Sequence, residues 1–160
     1  MRDKILQDIL IEQIQSLTEE TAKVKNLLNF IPEWSEPKPI DTNQKFGGKI
    51  KGVYKIIYKP FYEAEDGSPY VMYIGQGNVN QRWGRHKSVF KNKGKDVVSP
   101  NGHVSPSQAG KKMYIFDDDI DNWLFSYCNI GVKSLCSKYE EALQNEENPE
   151  FNNSSMNGCN

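Results

Sequence analysis

A chain of 160 residues with 37% hydrophobic and 26% charged side chains fits one domain with appended segments, and a domain of that size buries roughly two thirds of the surface its unfolded chain exposes. Cys128, Cys136 and Cys159 are odd in number and too widely spaced for a Cys-x-x-Cys metal or redox motif, so they are read as buried or incidental thiols in a chain that needs no disulfide scaffold, which fits a reducing compartment. Asp3, Asp8 and Glu12 stand where a leader would be basic and then apolar, and no run approaches about 18 apolar residues, so the expectation is a soluble, cytoplasmic protein without a membrane partner.

The formal net charge of −1 conceals a strong asymmetry. Residues 45–112 hold 13 Lys and Arg against 4 Asp and Glu, whereas residues 1–44 hold 5 against 8 and residues 113–160 hold 2 against 9. A middle segment this basic can face phosphates while acidic ends keep the molecule near neutral. A solvated surface explains the same numbers equally well.

In chain order, residues 1–30 are read as an N-terminal helix, because Leu10, Ile14, Leu17, Val24 and Leu28 recur at three- and four-residue steps, with Thr21 breaking the series. The stripe has to be covered, either by the chain's own core or by a second copy in a homodimer. Residues 31–48, with Pro32, Pro37 and Pro39, form a linker, since proline removes backbone donors. The remaining module, 49–160, opens with a β-branched and aromatic strand over Lys49–Lys59, a turn-rich connection over Glu63–Pro69 and a second strand over Tyr70–Ile74, ended by Gly75-Gln76-Gly77.

Asn78 or Asn80 can cap the next helix, whose Val79, Trp83 and Phe90 fall within about 40° of one another at roughly 100° per residue. Lys91–Gly110 is predicted as a long loop, part of an inserted segment 91–112. Asn122–Ile130 is a third strand, Ser134 to about Asn145 a last helix, and Pro149 follows it.

The candidate chemistry lies on these elements. Gly52-Val53-Tyr54 and Tyr73-Ile74-Gly75 put two phenols on neighbouring strands. Arg82 and His86, at i and i+4, share a helix face on the flank of the apolar stripe, while Arg85 points toward solvent. On the last helix Glu140 flanks the stripe Leu135, Tyr139, Ala142 and Leu143, and Glu141 points nearly opposite, so Glu140 is the better metal ligand.

Together, GVY at 52–54, YIG at 73–75, Arg-x-x-x-His at 82–86, a helical Glu140 and Phe151-Asn152 resemble the GIY-YIG nuclease family over roughly residues 49–153. The resemblance implies an α/β fold of the α+β kind, a small three-stranded antiparallel sheet flanked by helices. It also implies hydrolysis of double-stranded DNA with one divalent metal, magnesium or manganese, on Glu140. Arg82 would meet charge on the phosphoryl oxygens, Tyr73 would orient water or phosphate, and Asn152, or Asn153 if the register is shifted by one, would hold the last segment to the site.

Tyr54 would be the general base, which needs its phenol lowered from about 10 by a cation field, by His86 as acceptor, or by Lys55 and Lys59. Lys55, Lys59, Arg85, Lys87, Lys91, Lys93, Lys95, Lys111 and Lys112 are candidate DNA contacts, and Asn92, Ser99, Asn101, His103 and Ser107 are polar loop residues that can read base edges, as can Lys93 and Lys95. Val53 replaces the family's isoleucine, and the intervals between the triplets and between His86 and Glu140 are long. Because the sequence has no further segment to serve as a separate DNA reader, specificity is expected from the inserted loop, the N-terminal helix or a partner. The leading reading is a stand-alone, site-specific endonuclease of restriction or homing type; a structure-selective repair nuclease and a catalytically inactive DNA-binding module are the alternatives.

Overall fold

The computed structural model describes residues 2–15, 32–43, 49–64, 67, 69–95, 97–99, 102–104 and 108–152. In chain order these form α1 (Arg2–Gln15), β1 (Lys38–Pro39), β2 (Lys51–Tyr58), α2 (Lys59–Ala64), β3 (Val71–Asn78) and α3 (Val79–Lys91). Next come β4 (Val97–Ser99), β5 (Gly102–Val104), α4 (Gln108–Phe116), a 3-10 turn Ile120–Asn122, β6 (Trp123–Asn129), α5 (Lys133–Glu147) and a 3-10 turn Glu150–Asn152.

The fold is α+β, and its main sheet is antiparallel and open, in the order β1-β6-β2-β3. It therefore has four strands where three were expected. The fourth comes from the proline-bearing segment predicted as a linker: Lys38 and Pro39 pair with Phe125 and Leu124, and Ser35 N–H donates to Tyr127 O at 2.8 Å. Proline is tolerated there because an edge strand uses its backbone groups on one side alone.

Side chains of β2 are buried on both faces, as in a strand covered by helices on each side. One face carries Tyr54, Ile56, Trp83, Met113 and Phe125 against α3 and α4; the other carries Val53, Ile74, Cys128, Tyr139 and Leu143 against α1 and α5. A bulge refines this alternation. Ile56 pairs with Tyr73 and Ile57 with Val71, so Met72 is the extra residue, and Met72 and Tyr73 both lie on the face of Tyr54.

Several elements differ from expectation. The second strand does not stop at Gly75 but runs through Asn78, because glycine paired across from another strand keeps its ladder bonds even without a side chain. The segment after the first strand contains α2, and the expected loop 91–110 contains the hairpin β4–β5 and the start of α4. Helix α4 buries Ala109, Gly110 and Met113, too sparse a stripe, broken by Lys111-Lys112, to stand out as a period. Of the stripe assigned to one long helix, Leu10 and Ile14 fall in α1, whereas Leu17, Val24 and Leu28 lie outside the described residues. Leu6 and Leu10 are buried in the chain's own core.

Candidate active site

The site grows from one cross-strand pair. Tyr54 stands directly opposite Gly75, and a Cβ at position 75 would collide with the Tyr54 hydroxyl and approach the Tyr73 ring to 2.8 Å. The absent side chain is the space the phenol occupies. Tyr54 stacks on Phe125 with ring centroids 5.0 Å apart, and Phe125 stacks in turn on Trp83 at 4.5 Å, so the phenol is held on one side by aromatic packing and on the other by backbone.

Helix α3 delivers the next two groups. Asn78 caps it, accepting from Gln81 N–H at 3.1 Å, which sets the helix start three residues before Arg82. His86 does not merely flank the stripe: it is 1% exposed, with Tyr54, Tyr73 and Phe125 around its ring, and its Nε2 lies 3.2 Å from the Tyr54 hydroxyl. Burial, then the nearby Arg82 and Arg85, push the imidazole down to about 3, so it is neutral at ordinary pH. The Arg82 guanidinium passes over Gly77, where a Cβ would stand 3.1 Å from Nε. That Nε is buried without a hydrogen-bond partner among the described residues, a donor positioned for an acceptor that arrives from outside.

The carboxylate comes from the opposite face. Helix α5 packs with Leu135, Tyr139 and Leu143 buried, leaving Glu140 half-buried and Glu141 exposed. Added to burial, the Glu140 charge helps to raise the phenols of Tyr54 and Tyr73, Arg82 in turn draws the Glu140 carboxyl down, and Gln144 links that carboxyl to Ile74 of β3, an edge strand of the sheet. Burial pushes the Glu140 carboxyl up to about 7, with Arg82 opposing. No family model, no curated protein and no solved structure matches the chain. The candidate site therefore stands on its own geometry.

At that same edge Ile74 N–H donates to Asn152 Oδ1 at 2.8 Å and Asn152 Nδ2 donates to Ile74 O at 2.8 Å. The amide thus completes the edge strand as a neighbouring peptide would. Gln144, which sequence reasoning missed, donates from Nε2 to Ile74 O and to Glu140 Oε1, both at 3.2 Å; its i+4 spacing from Glu140 was the available signal.

The structure does not supply the expected depression of the Tyr54 phenol. Burial, then Tyr73, hold it well above its ordinary value, and Arg82 opposes them in part. Tyr73 is also raised, first by burial and then by Glu140. Lys55 is turned away from Tyr54 and from solvent, because adjacent strand residues face opposite ways. It is 3% exposed, with Nζ 2.6 Å from Glu147 Oε1 and 4.5 Å from the Trp34 ring centre. Lys59 lies at the start of α2, half-buried.

The remaining candidate DNA contacts divide. Lys91, Lys93 and Lys95 are exposed at and beyond the end of α3, and Arg85 and Lys111 are half-buried. Lys87 Nζ donates to Asp41 O at 3.0 Å and Asn43 Oδ1 at 2.7 Å, and Lys112 Nζ donates to Phe151 O at 3.0 Å, so both hold chain segments together. Asn92 ends α3 and donates to Ser88 O at 2.6 Å. Asn101, Ser107, Asn153 and Cys159 lie outside the described residues, as do the side chains of Ser99 and His103 in the small hairpin.

Among the described residues no group of three or more His, Cys, Asp and Glu side chains is gathered to enclose a metal. The donor set that is present, one carboxylate desolvated enough to favour its proton, gains from a second cation. It fits a hard ion such as magnesium or manganese, which keeps several waters and takes its other oxygens from substrate. It does not fit a soft or fully caged ion.

Proposed function

We propose that this chain is a metal-dependent endonuclease of the GIY-YIG type, hydrolysing phosphodiesters of double-stranded DNA at defined sites, as restriction or homing enzymes do. The observation that carries the reading is the placement about β3 of two phenols, a guanidinium whose buried Nε has no partner among the described residues, a neutral imidazole and a desolvated carboxylate tied to that strand through Gln144. An anion with its own counter-cation is complementary to that set.

In this reading Arg82 offers Nε and its terminal donors to a phosphoryl oxygen, where charge grows in the transition state. Glu140 would hold magnesium or manganese, which when bound neutralises the scissile phosphate and stabilises the leaving oxygen. Tyr73 orients the attacking water. Tyr54 takes the water's proton while its own hydroxyl hands one to Nε2 of His86, so that a free phenolate, which burial opposes, never has to form. A phosphate beside Arg82 also cancels part of the field that depresses His86, which raises the imidazole's proton affinity when substrate is bound.

Incubating supercoiled plasmid with protein and Mg²⁺ or Mn²⁺ tests the proposal. Wild type should nick and linearise, Glu140→Ala should not, and Arg82→Ala should lose roughly 10²- to 10³-fold in rate. Retained DNA binding without cleavage by wild type would leave a catalytically inactive binding module. Fixed ends on a long natural duplex would support a site-specific enzyme, and preference for nicked or branched duplexes would support a repair nuclease.

A further inference from the structure

The β3 edge carries one group beyond those used above. Gln144 sits one helical turn after Glu140 on α5, half-buried, and its carboxamide nitrogen bridges Glu140 Oε1 and the carbonyl of Ile74 at 3.2 Å each. The same carbonyl accepts from Asn152, whose Oδ1 takes the Ile74 N–H. A single residue of the second triplet is therefore the anchor for two amides, and one of them holds the carboxylate.

The bridge has a directional consequence. A glutamate on a helix flank can sample several rotamers, and each one points its oxygens to a different place. A donor fixed to a strand backbone selects the rotamer in which Oε1 faces β3, the strand that also carries Tyr73. Gln144 has no charge, so it orients the carboxylate without competing with a cation for it, as a lysine at this position would.

We infer that Gln144 is a positioning residue that fixes Glu140 in a cation-ready orientation by tethering it to the backbone of Ile74. The inference rests on the nuclease reading of the site. Groups of this kind, one bond removed from a metal, change metal affinity by roughly 10- to 100-fold when removed.

The test uses the full chain with an uncleavable DNA duplex and Mn²⁺ as probe, bound ion being read by electron paramagnetic resonance. Gln144→Met keeps the side-chain length without the amide; Gln144→Ala is the second variant, and thermal unfolding checks that both fold. Either folded variant should bind Mn²⁺ roughly 10- to 100-fold more weakly than wild type. The Mn²⁺ needed for half-maximal cleavage of a normal duplex should rise by the same factor, with the rate largely recovered at saturating Mn²⁺ and metal-free DNA binding unchanged. In a Glu140→Gln background the change at 144 should have no further effect on Mn²⁺. Wild-type affinity in both folded variants, with wild type itself binding Mn²⁺ and cleaving, would overturn the role of Gln144 alone. A wild type that binds no more Mn²⁺ than Glu140→Gln and cuts nothing would overturn the nuclease reading, and the positioning role with it.

Discussion

At position 75 even a methyl group has nowhere to go, because the Tyr54 hydroxyl and the Tyr73 ring occupy its place. Gly75→Ala should therefore cost about 1–3 kcal/mol, the usual penalty of overpacking a filled site, measured by chemical denaturation, and should abolish cleavage by displacing the phenol. Glu140 behaves oppositely. Its folded-state carboxyl is raised from the unfolded value to about 7, so the folded protein binds more protons than the unfolded chain between those values, and stability falls as pH rises through that window. Glu140→Gln should be inactive yet more stable than wild type at pH 8 without metal, by about 1 kcal/mol once solvent screening at its half-exposed position is allowed for. Equal melting temperatures at pH 8 would contradict it. These effects could not be read from residue type: both adjacent glutamates looked alike until the helix face decided which of them α5 desolvates.

Lys55 and Glu147 join the middle of β2 to the end of α5, across the sheet face opposite the phenols. Their side chains are 4% and 13% exposed, so removal of one partner takes the opposite charge from a largely buried group. Lys55→Ala should cost about 3 kcal/mol in thermal unfolding while leaving DNA affinity unchanged, and Lys55→Met with Glu147→Leu should recover most of the loss. A drop in DNA affinity at unchanged stability would restore the lysine to the phosphate surface. Secondary structure with a strong local signal was legible from the sequence: β6, α3 and α5 lie where alternation or a three-to-four step placed them, and β2 where a run of β-branched and aromatic residues did. Strand β1 and helix α4 were not, since a two-residue edge strand has no period and α4 buries three small or flexible residues beside two lysines.

On the scale of the whole molecule, α1 closes the second face of the sheet with Leu6 and Leu10 at 0% and 1% exposure. Of the described part of the apolar stripe, Leu10 thus packs in the chain's own core, while Ile14 is half-buried. Leu10→Ala should cost about 2–5 kcal/mol, with a melting temperature independent of protein concentration; a concentration-dependent loss would instead mark a subunit contact. No helix among the described residues is long and apolar enough to cross a membrane.

The pattern of residues alone specified which side chains could share a strand pair or a helix face, because periods of two and 3.6 are properties of the backbone itself. It placed Tyr54 and Tyr73 on neighbouring strands and Arg82, His86 and Glu140 on the flanks of helix stripes, whereas Asn152 came from the resemblance to the GIY-YIG family. Tertiary structure decided what those groups have become: a phenol raised rather than lowered, an imidazole sealed among aromatic rings, a lysine withdrawn to the far face and a glutamine tied between carboxylate and strand. Proton affinity and solvent access depend on what distant segments remove from water, and no local period records that removal.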